Sequence, residues 1–295
     1  MTSNPIFRGV ATALITPLNE SGIDFDAFGR LLDDQIANGI PALVIAGTTG
    51  EGATLTDEEH RALIEYAVNR VAGRACVIAG TGSNDTAYAV SLTKFSCEVG
   101  ADAMLVVTPY YNKATQNGLV KMYNTIADAS TKPIIVYNVP SRTGVGIQPA
   151  TYARLAEHPN IRAIKEANGS ISAIAETMAL VGDKLDIYSG NDDQIVPILS
   201  LGGSGVISVL SNVMPRRTVE LCDRFFAGDV AGSAALQMEL LPLVKALFSQ
   251  TNPIPAKAAL AKMGYCEDVL RLPLTPMEEP YRTILYREMA KLGLI

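Results

Sequence analysis

Histidine is nearly absent: His60 and His158 are the only two in 295 residues. A three-histidine metal centre is therefore excluded within one chain, and both are expected as surface or capping residues. Cysteine is sparse too. Cys76, Cys97, Cys222 and Cys266 stand far apart with no C-x-x-C pair. That usage fits buried thiols in a reducing cytoplasm, not a disulfide framework or a zinc site. Basic charge is in deficit: a net charge of -6 argues against a nucleic-acid binder, which needs a basic stripe. No run of about 18 apolar residues occurs, so no membrane span is expected. The opening "MTSNPIFRGVATALITP" lacks the basic stretch that leads a secretory signal. What the chain does have is 48% hydrophobic residues against 18% charged ones, enough for a sizeable core and too apolar for disorder. The scarcity of histidine turns any chemistry here toward lysine, tyrosine, threonine and arginine.

One pattern recurs eight times. A short apolar run ends in a small or polar residue, and an amphipathic stretch follows. The runs are "GVATALITP", "PALVIAGTTGE", "RACVIAGTGSN", "ADAMLVVTPYYN", "KPIIVYNVPSR", "NIRAIKEANGS", "KLDIYSGNDD" and "SGVISVLSN". Such runs predict buried parallel strands. The stretches between them, such as residues 24–39 and 56–73, predict helices; Thr56 followed by Glu59 has capping-box spacing. Eight alternations predict an α/β fold, a (β/α)8 TIM barrel. A doubly wound open sheet is the second choice, with fewer strands as a rule, and no G-x-G-x-x-G motif supports it. About 80 residues follow the last run, more than one closing helix needs. We expect a catalytic barrel over 1–225 and a small C-terminal helical appendage over 226–295, packed on the barrel.

Barrel enzymes carry their sites at the C-terminal ends of the strands. There the sequence offers Thr48, Thr49 and Glu51 after the second run, Tyr110 and Tyr111 after the fourth, and Tyr137 and Arg142 on and after the fifth. The sixth and seventh offer Lys165, Glu166 and Gly190. Lys165 is the one amine among them. Ile161, Ala163 and Lys165 are expected on one strand face, Ile161 as apolar wall and Ala163 as room for the lysine stem. A free lysine amine is protonated at neutral pH, but burial can deliver it neutral, and a neutral amine attacks ketones to form a Schiff base. The competing assignment is an ion pair with Glu166 or another carboxylate, although alternation should turn Glu166 away from the axis. Tyr137 ends the preceding strand and should stand beside Lys165, where a phenol can donate and accept a proton in turn; Thr48 could pass protons to it. Between Tyr110 and Tyr111, position alone does not choose. The "GTTGE" turn could hold a carboxylate on its backbone N–H groups or be an ordinary connection. Arg142 could clamp a second carboxylate or be a solvated loop residue.

Together "GTTGE" (47–51), "VTPYYN" (107–112), "YNVPSRTG" (137–144), "IKEA" (164–167) and "YSGNDD" (188–193) resemble the dihydrodipicolinate synthase family of pyruvate-dependent class I aldolases. The likeness extends to "NPIPAKAALAKMG" near the C-terminus. The resemblance implies condensation of pyruvate with aspartate 4-semialdehyde, on the route to diaminopimelate and lysine, by a cytoplasmic homotetramer without metal or organic cofactor. It implies that Lys165 is the Schiff-base lysine and that Thr48, Tyr137 and Tyr111 form a proton relay, with Tyr111 supplied by a neighbouring subunit. It assigns Thr49 to the pyruvate carboxylate, Arg142 to the semialdehyde carboxylate, and the backbone at Gly190 and Ile207 to the pyruvate site. Arg142 favours this family over aldolases of sugar acids such as N-acetylneuraminate or 2-keto-3-deoxygluconate; a catalytically idle keto-acid-binding barrel would not need the relay. The resemblance also marks Asn84, Tyr110, His60 and Tyr88 as an effector site for lysine. Tyr88 stands where lysine-sensitive members carry glutamate, and Asp57 where many carry histidine. Tyrosine brings no charge to an ammonium at neutral pH, so weak or absent lysine inhibition is expected.

Overall fold

The computed structural model describes residues 4–295. Eight parallel strands close into a barrel: β1 (Gly9–Ala13), β2 (Ala42–Ile45), β3 (Cys76–Gly80), β4 (Ala103–Val107), β5 (Ile134–Asn138), β6 (Ile161–Glu166), β7 (Asp186–Ser189) and β8 (Gly205–Ser208). The last pairs with the first, from Gly9 opposite Gly205 to Thr12 opposite Ser208. Glycine at 205 is obligatory for that closure, since a Cβ there would lie 1.9 Å from the Gly9 carbonyl oxygen.

The strands are apolar because they are covered on both faces. Alternate side chains build two cores. One fills the barrel, mixing small residues such as Ala11, Ala42, Ala103 and Ala163 with larger ones such as Ile207 and Tyr188. The other lies between strands and helices and includes Leu43, Met104, Val136 and Ile164. On β6 the simple alternation fails. Ile134 pairs with Ile161, but Ile135 pairs with Ala163, so the ladder skips Arg162. This irregularity puts an extra residue into β6. Ile161 consequently joins the outer core and not the face of Ala163 and Lys165 as expected.

Helices α1 (Phe25–Ala37), α2 (Asp57–Val71), α3 (Thr86–Glu98) and α4 (Gln116–Asp128) follow the first four strands in turn. The capping box at Thr56 and Glu59 is formed, with both reciprocal hydrogen bonds present. After β5 come a single turn, α5 (Pro140–Thr143), and α6 (Pro149–Leu155); α7 (Ile171–Val181) and α8 (Ile195–Ser200) follow β6 and β7. Helix α9 (Pro215–Phe226) packs on β1, and α10 (Val230–Leu247), α11 (Ile254–Lys262) and α12 (Glu279–Lys291) complete the chain. Among the described residues only α10 is long and apolar enough to cross a membrane by length and composition. Its Leu236, Leu240, Leu243 and Leu247 are buried in the outer core, and the helix packs against α9 and α12.

Candidate active site

A cavity of about 690 Å³ opens at the C-terminal ends of the strands. Thr48, Tyr137 and Arg142 line one end of it, with Asn252 from the chain beyond α10. A shallower hollow beside Asp128, Arg154 and His158 borders Asn160, which precedes β6, and so lies at the opposite rim of the barrel.

Lys165 points into the barrel, above Ala163, and is only 5% exposed. The register sets it opposite Tyr137 on β5, and its Nζ lies 4.2 Å from the centre of the Tyr137 ring. Burial brings the ammonium pKa down to about 7; the negative charge of Asp192 opposes that fall and the positive charge of Arg142 adds to it. Half of the amine is thus neutral near pH 7, where a free lysine is almost wholly protonated. Burial pushes the Tyr137 phenol upward, an effect partly offset by Arg142 and by a hydrogen bond with the Thr48 side chain. A partly neutral amine, a neutral phenol and a hydroxyl therefore stand in sequence.

The turn after β2 is held by its own backbone and by the C-terminal helices. Ala46 and Glu51 adopt left-handed backbone angles, with φ of 55° and 54°. Gly52 packs so close that a Cβ would lie 2.2 Å from the Ala46 carbonyl oxygen. The Thr49 hydroxyl accepts a hydrogen bond from Asn252 Nδ2 at 2.9 Å. Glu51 pairs with Lys257 of α11, both buried, and also accepts from the Arg271 backbone N–H at 3.1 Å. Arg142, on α5, donates from Nη2 to the Asn252 carbonyl at 3.3 Å and otherwise stands free at the cavity. Asn252 thereby joins Thr49 to Arg142.

Glu166 faces outward, as alternation from Lys165 requires. It accepts from Asn138 Nδ2 at 3.0 Å, from the Tyr152 hydroxyl at 2.8 Å and from the Asn168 N–H at 2.9 Å. It is not the partner of Lys165. Gly190 donates its N–H to the Glu166 carbonyl at 2.8 Å, and a Cβ there would press on Ala167 at 2.8 Å. Ile207 is fully buried in the barrel interior. Tyr111 is 93% exposed with φ of 70°, and a single chain does not bring it to Lys165. Tyr110 lines the cavity instead.

Of the expected effector residues, His60, Tyr88 and Tyr110 line the same cavity. His60 is buried, not on the surface or at a cap, with Nε2 2.8 Å from the Gly80 carbonyl oxygen. Burial depresses its pKa. Asn84 donates to the Tyr110 carbonyl at 3.2 Å. Tyr88 hydrogen-bonds Asp57, which also pairs with Arg61 at 2.8 Å. His158, expected as a surface or capping residue, is partly buried, its Nε2 3.1 Å from Asp128.

Sequence reasoning missed Asp192, Asn252 and Lys257. Each lies inside a motif that it did quote. Lys257 carried the same signal as Lys165, a lone cation in an apolar stretch, "IPAKAALA".

A model of the dihydrodipicolinate synthetase family matches residues 6–291. The 4-hydroxy-tetrahydrodipicolinate synthase of Caldicellulosiruptor saccharolyticus is 52% identical over 291 residues, covering 98% of each chain. The crystal structure of dihydrodipicolinate synthase from Aquifex aeolicus superposes with a TM-score of 0.96 at 45% identity, over 98% of this chain and 99% of that one. The enzyme of Cyanidioschyzon merolae, solved with lysine bound, gives 0.96 at 38% identity over 99% and 100%. With a buried amine against a phenol ring, an arginine at the same cavity, and likeness running the whole length, this chain belongs to the dihydrodipicolinate synthetase family.

Proposed function

We propose that this chain is a lyase that condenses pyruvate with L-aspartate 4-semialdehyde to give 4-hydroxy-tetrahydrodipicolinate, in diaminopimelate and lysine biosynthesis. The observation that carries the mechanism is the Lys165 amine, buried beside Tyr137 with its pKa brought down to about 7. The neutral amine attacks the ketone carbon of pyruvate. Tyr137, hydrogen-bonded to Thr48, supplies the proton with which the carbinolamine loses water. The protonated imine then loses a methyl proton to become an enamine. The enamine carbon attacks the aldehyde of the second substrate. The amine of that substrate closes the ring by displacing Lys165. Backbone N–H groups around Thr49 and the Gly190–Ile207 side of the barrel take the pyruvate carboxylate; Arg142 takes the carboxylate of the semialdehyde.

The reading includes a homotetramer in the cytoplasm, in which Tyr111 of a partner subunit completes the relay. The exposed, left-handed Tyr111 supports the first part and four thiols outside any disulfide support the second, though only Cys222 is fully buried and not all four as expected. Residues 226–295 serve in it as a helical unit bracing the site through Asn252 and Lys257.

Borohydride reduction after incubation with pyruvate tests the central step. One adduct on Lys165 is expected by mass, none in Lys165→Ala, and turnover with aspartate semialdehyde should exceed that with N-acetylneuraminate or 2-keto-3-deoxygluconate. Arg142→Ala should keep the adduct and raise KM for the semialdehyde. An adduct elsewhere, or none in the wild type, refutes the assignment.

A further inference from the structure

The Schiff-base reading leaves one charge without an account. After water is lost, the Lys165 nitrogen is a protonated imine, and its positive charge draws the electrons of the breaking C–H bond. The burial that drives the free amine toward neutrality drives that proton off as well. An imine that loses its proton is a poor electron sink. The site therefore needs a fixed negative charge near the nitrogen, held so that it does not react.

Asp192 has these properties. It opens the short 3-10 turn Asp192–Gln194 after β7 and is 3% exposed. Its Oδ2 accepts from the N–H groups of Val209 and Leu210, both at 2.9 Å, at the end of β8. The Ser208 side chain lies beside the same carboxylate and favours its charge. Among the described residues its Oδ1, also buried, has no hydrogen-bond partner. Leaving a buried carboxylate oxygen without a donor is unfavourable unless a cation answers it.

The groups around it identify that cation. Lys165 acts on Asp192 from β6. The Cys222 thiol of α9 is also near, but burial pushes its pKa up, so it stays neutral. On Lys165 in turn act the ring of Tyr137 from β5 and the repelling charge of Arg142 from α5. Among the described residues, Asp192 is the one carboxylate whose charge acts on Lys165. Glu166, next to it in sequence, is turned outward and fully engaged.

We propose that Asp192 is a positioning residue whose unbonded Oδ1 keeps the Lys165 nitrogen protonated in the pyruvate imine until the enamine forms. In that step the methyl C–H bond breaks, its proton leaves to the relay, and its electron pair forms the carbon–carbon double bond. The C=N π pair passes to nitrogen, which becomes the neutral N–H of the enamine. Burial pushes the Asp192 pKa up, while Ser208, the N–H groups of Leu210 and Val209 and the charge of Lys165 oppose the rise; in this step Asp192 stays ionised.

Asp192→Asn tests this. The amide oxygen keeps the acceptor for Val209 and Leu210, while an uncharged NH2 replaces Oδ1. Two measurements need only pyruvate: the pH window in which borohydride traps the adduct, and deuterium exchange into the pyruvate methyl group. Without the carboxylate the nitrogen binds its proton less tightly in both amine and imine. The trapping window should move down by about one pH unit, and exchange at pH 8 should slow about tenfold or more. Asp192→Glu, which restores the charge, should return the window toward that of the wild type. A folded Asp192→Asn enzyme with an unmoved window overturns the proposal, as does Asp192→Glu sharing the shifted one. Failure of both variants to fold also overturns it, since the carboxylate would then be scaffolding. Failure of the wild type to trap at Lys165 overturns the Schiff-base reading instead.

Discussion

Replacing Lys165 by methionine should change how stability depends on pH. The side chains are of similar length, but methionine carries no proton in either state. The structure brings the amine from 10.5 to about 7, a drop of about 3.5 units. At 1.36 kcal/mol per unit, burial disfavours the charged form by about 5 kcal/mol. The direction follows from proton counting. The unfolded chain holds the lysine proton up to about pH 10.4, and the folded chain only up to about 7. Between those values the unfolded state binds more protons, so wild-type stability climbs as pH rises, by at most about 1.4 kcal/mol per pH unit. Below that window both states are protonated and the full penalty applies.

Lys165→Met lacks this climb. It should be favoured most over the wild type near the acidic end of the window, with the advantage shrinking toward about pH 10. The orphaned Asp192 carboxyl subtracts part of the gain, so the slope of the difference carries the test and the offset does not. Urea unfolding followed by circular dichroism supplies it, at fixed protein concentration because association would otherwise shift the midpoints. Other lysines, tyrosines and thiols titrate in both proteins and cancel. Parallel stability curves for the two proteins between about pH 7.5 and 10 would mean that the native amine is not depressed, and the nucleophile argument would fall.

The brace behind the "GTTGE" turn is open to the same kind of test. Lys257→Met strands a buried Glu51 and should lower stability by roughly 3–5 kcal/mol, with part regained in Glu51→Gln/Lys257→Met; thermal melts check this, and a loss under about 1 kcal/mol refutes the brace. At the far end of the cavity, the Tyr88 hydroxyl is bonded to Asp57 and brings no carboxylate. Lysine should therefore leave turnover unchanged in a coupled assay and should inhibit Tyr88→Glu; inhibition of the wild type at low lysine concentration contradicts that.

The barrel was legible because its signal is periodic. Eight buried strands each bounded by glycine, proline or polar residues leave few other architectures. The Lys165–Tyr137 pair was legible for the same reason, since neighbouring strands in a parallel barrel bring equivalent ends together. What escaped was everything that depends on one residue's offset or on contacts across the chain. The extra residue at Arg162 reverses the side on which Ile161 lies, yet the Ala163–Ile164 doublet in "NIRAIK" is what any strand buried on both faces shows, so it does not mark the extra residue. His60 follows three acidic residues at a helix start, a setting that suggests solvent, but the second turn of α2 faces β3 and delivers the ring to Gly80. In "NDD" three polar residues compete, and only the 3-10 turn decides that Asp192 goes inward. Asn252 and Lys257 meet the "GTTGE" turn across more than 200 residues of sequence. Periodicity cannot register such a contact. A rule of charge can: a lone cation in an apolar run must have either a partner or a depressed pKa. Lys257 meets that demand with Glu51, its pKa lowered by burial but supported by the pair. Lys165 meets it mainly by giving up its proton, with Asp192 limiting how far. The same sequence signal thus has two physical resolutions: Lys257 is held in a direct ion pair, whereas Lys165 makes none among the described residues and is the one proposed to react.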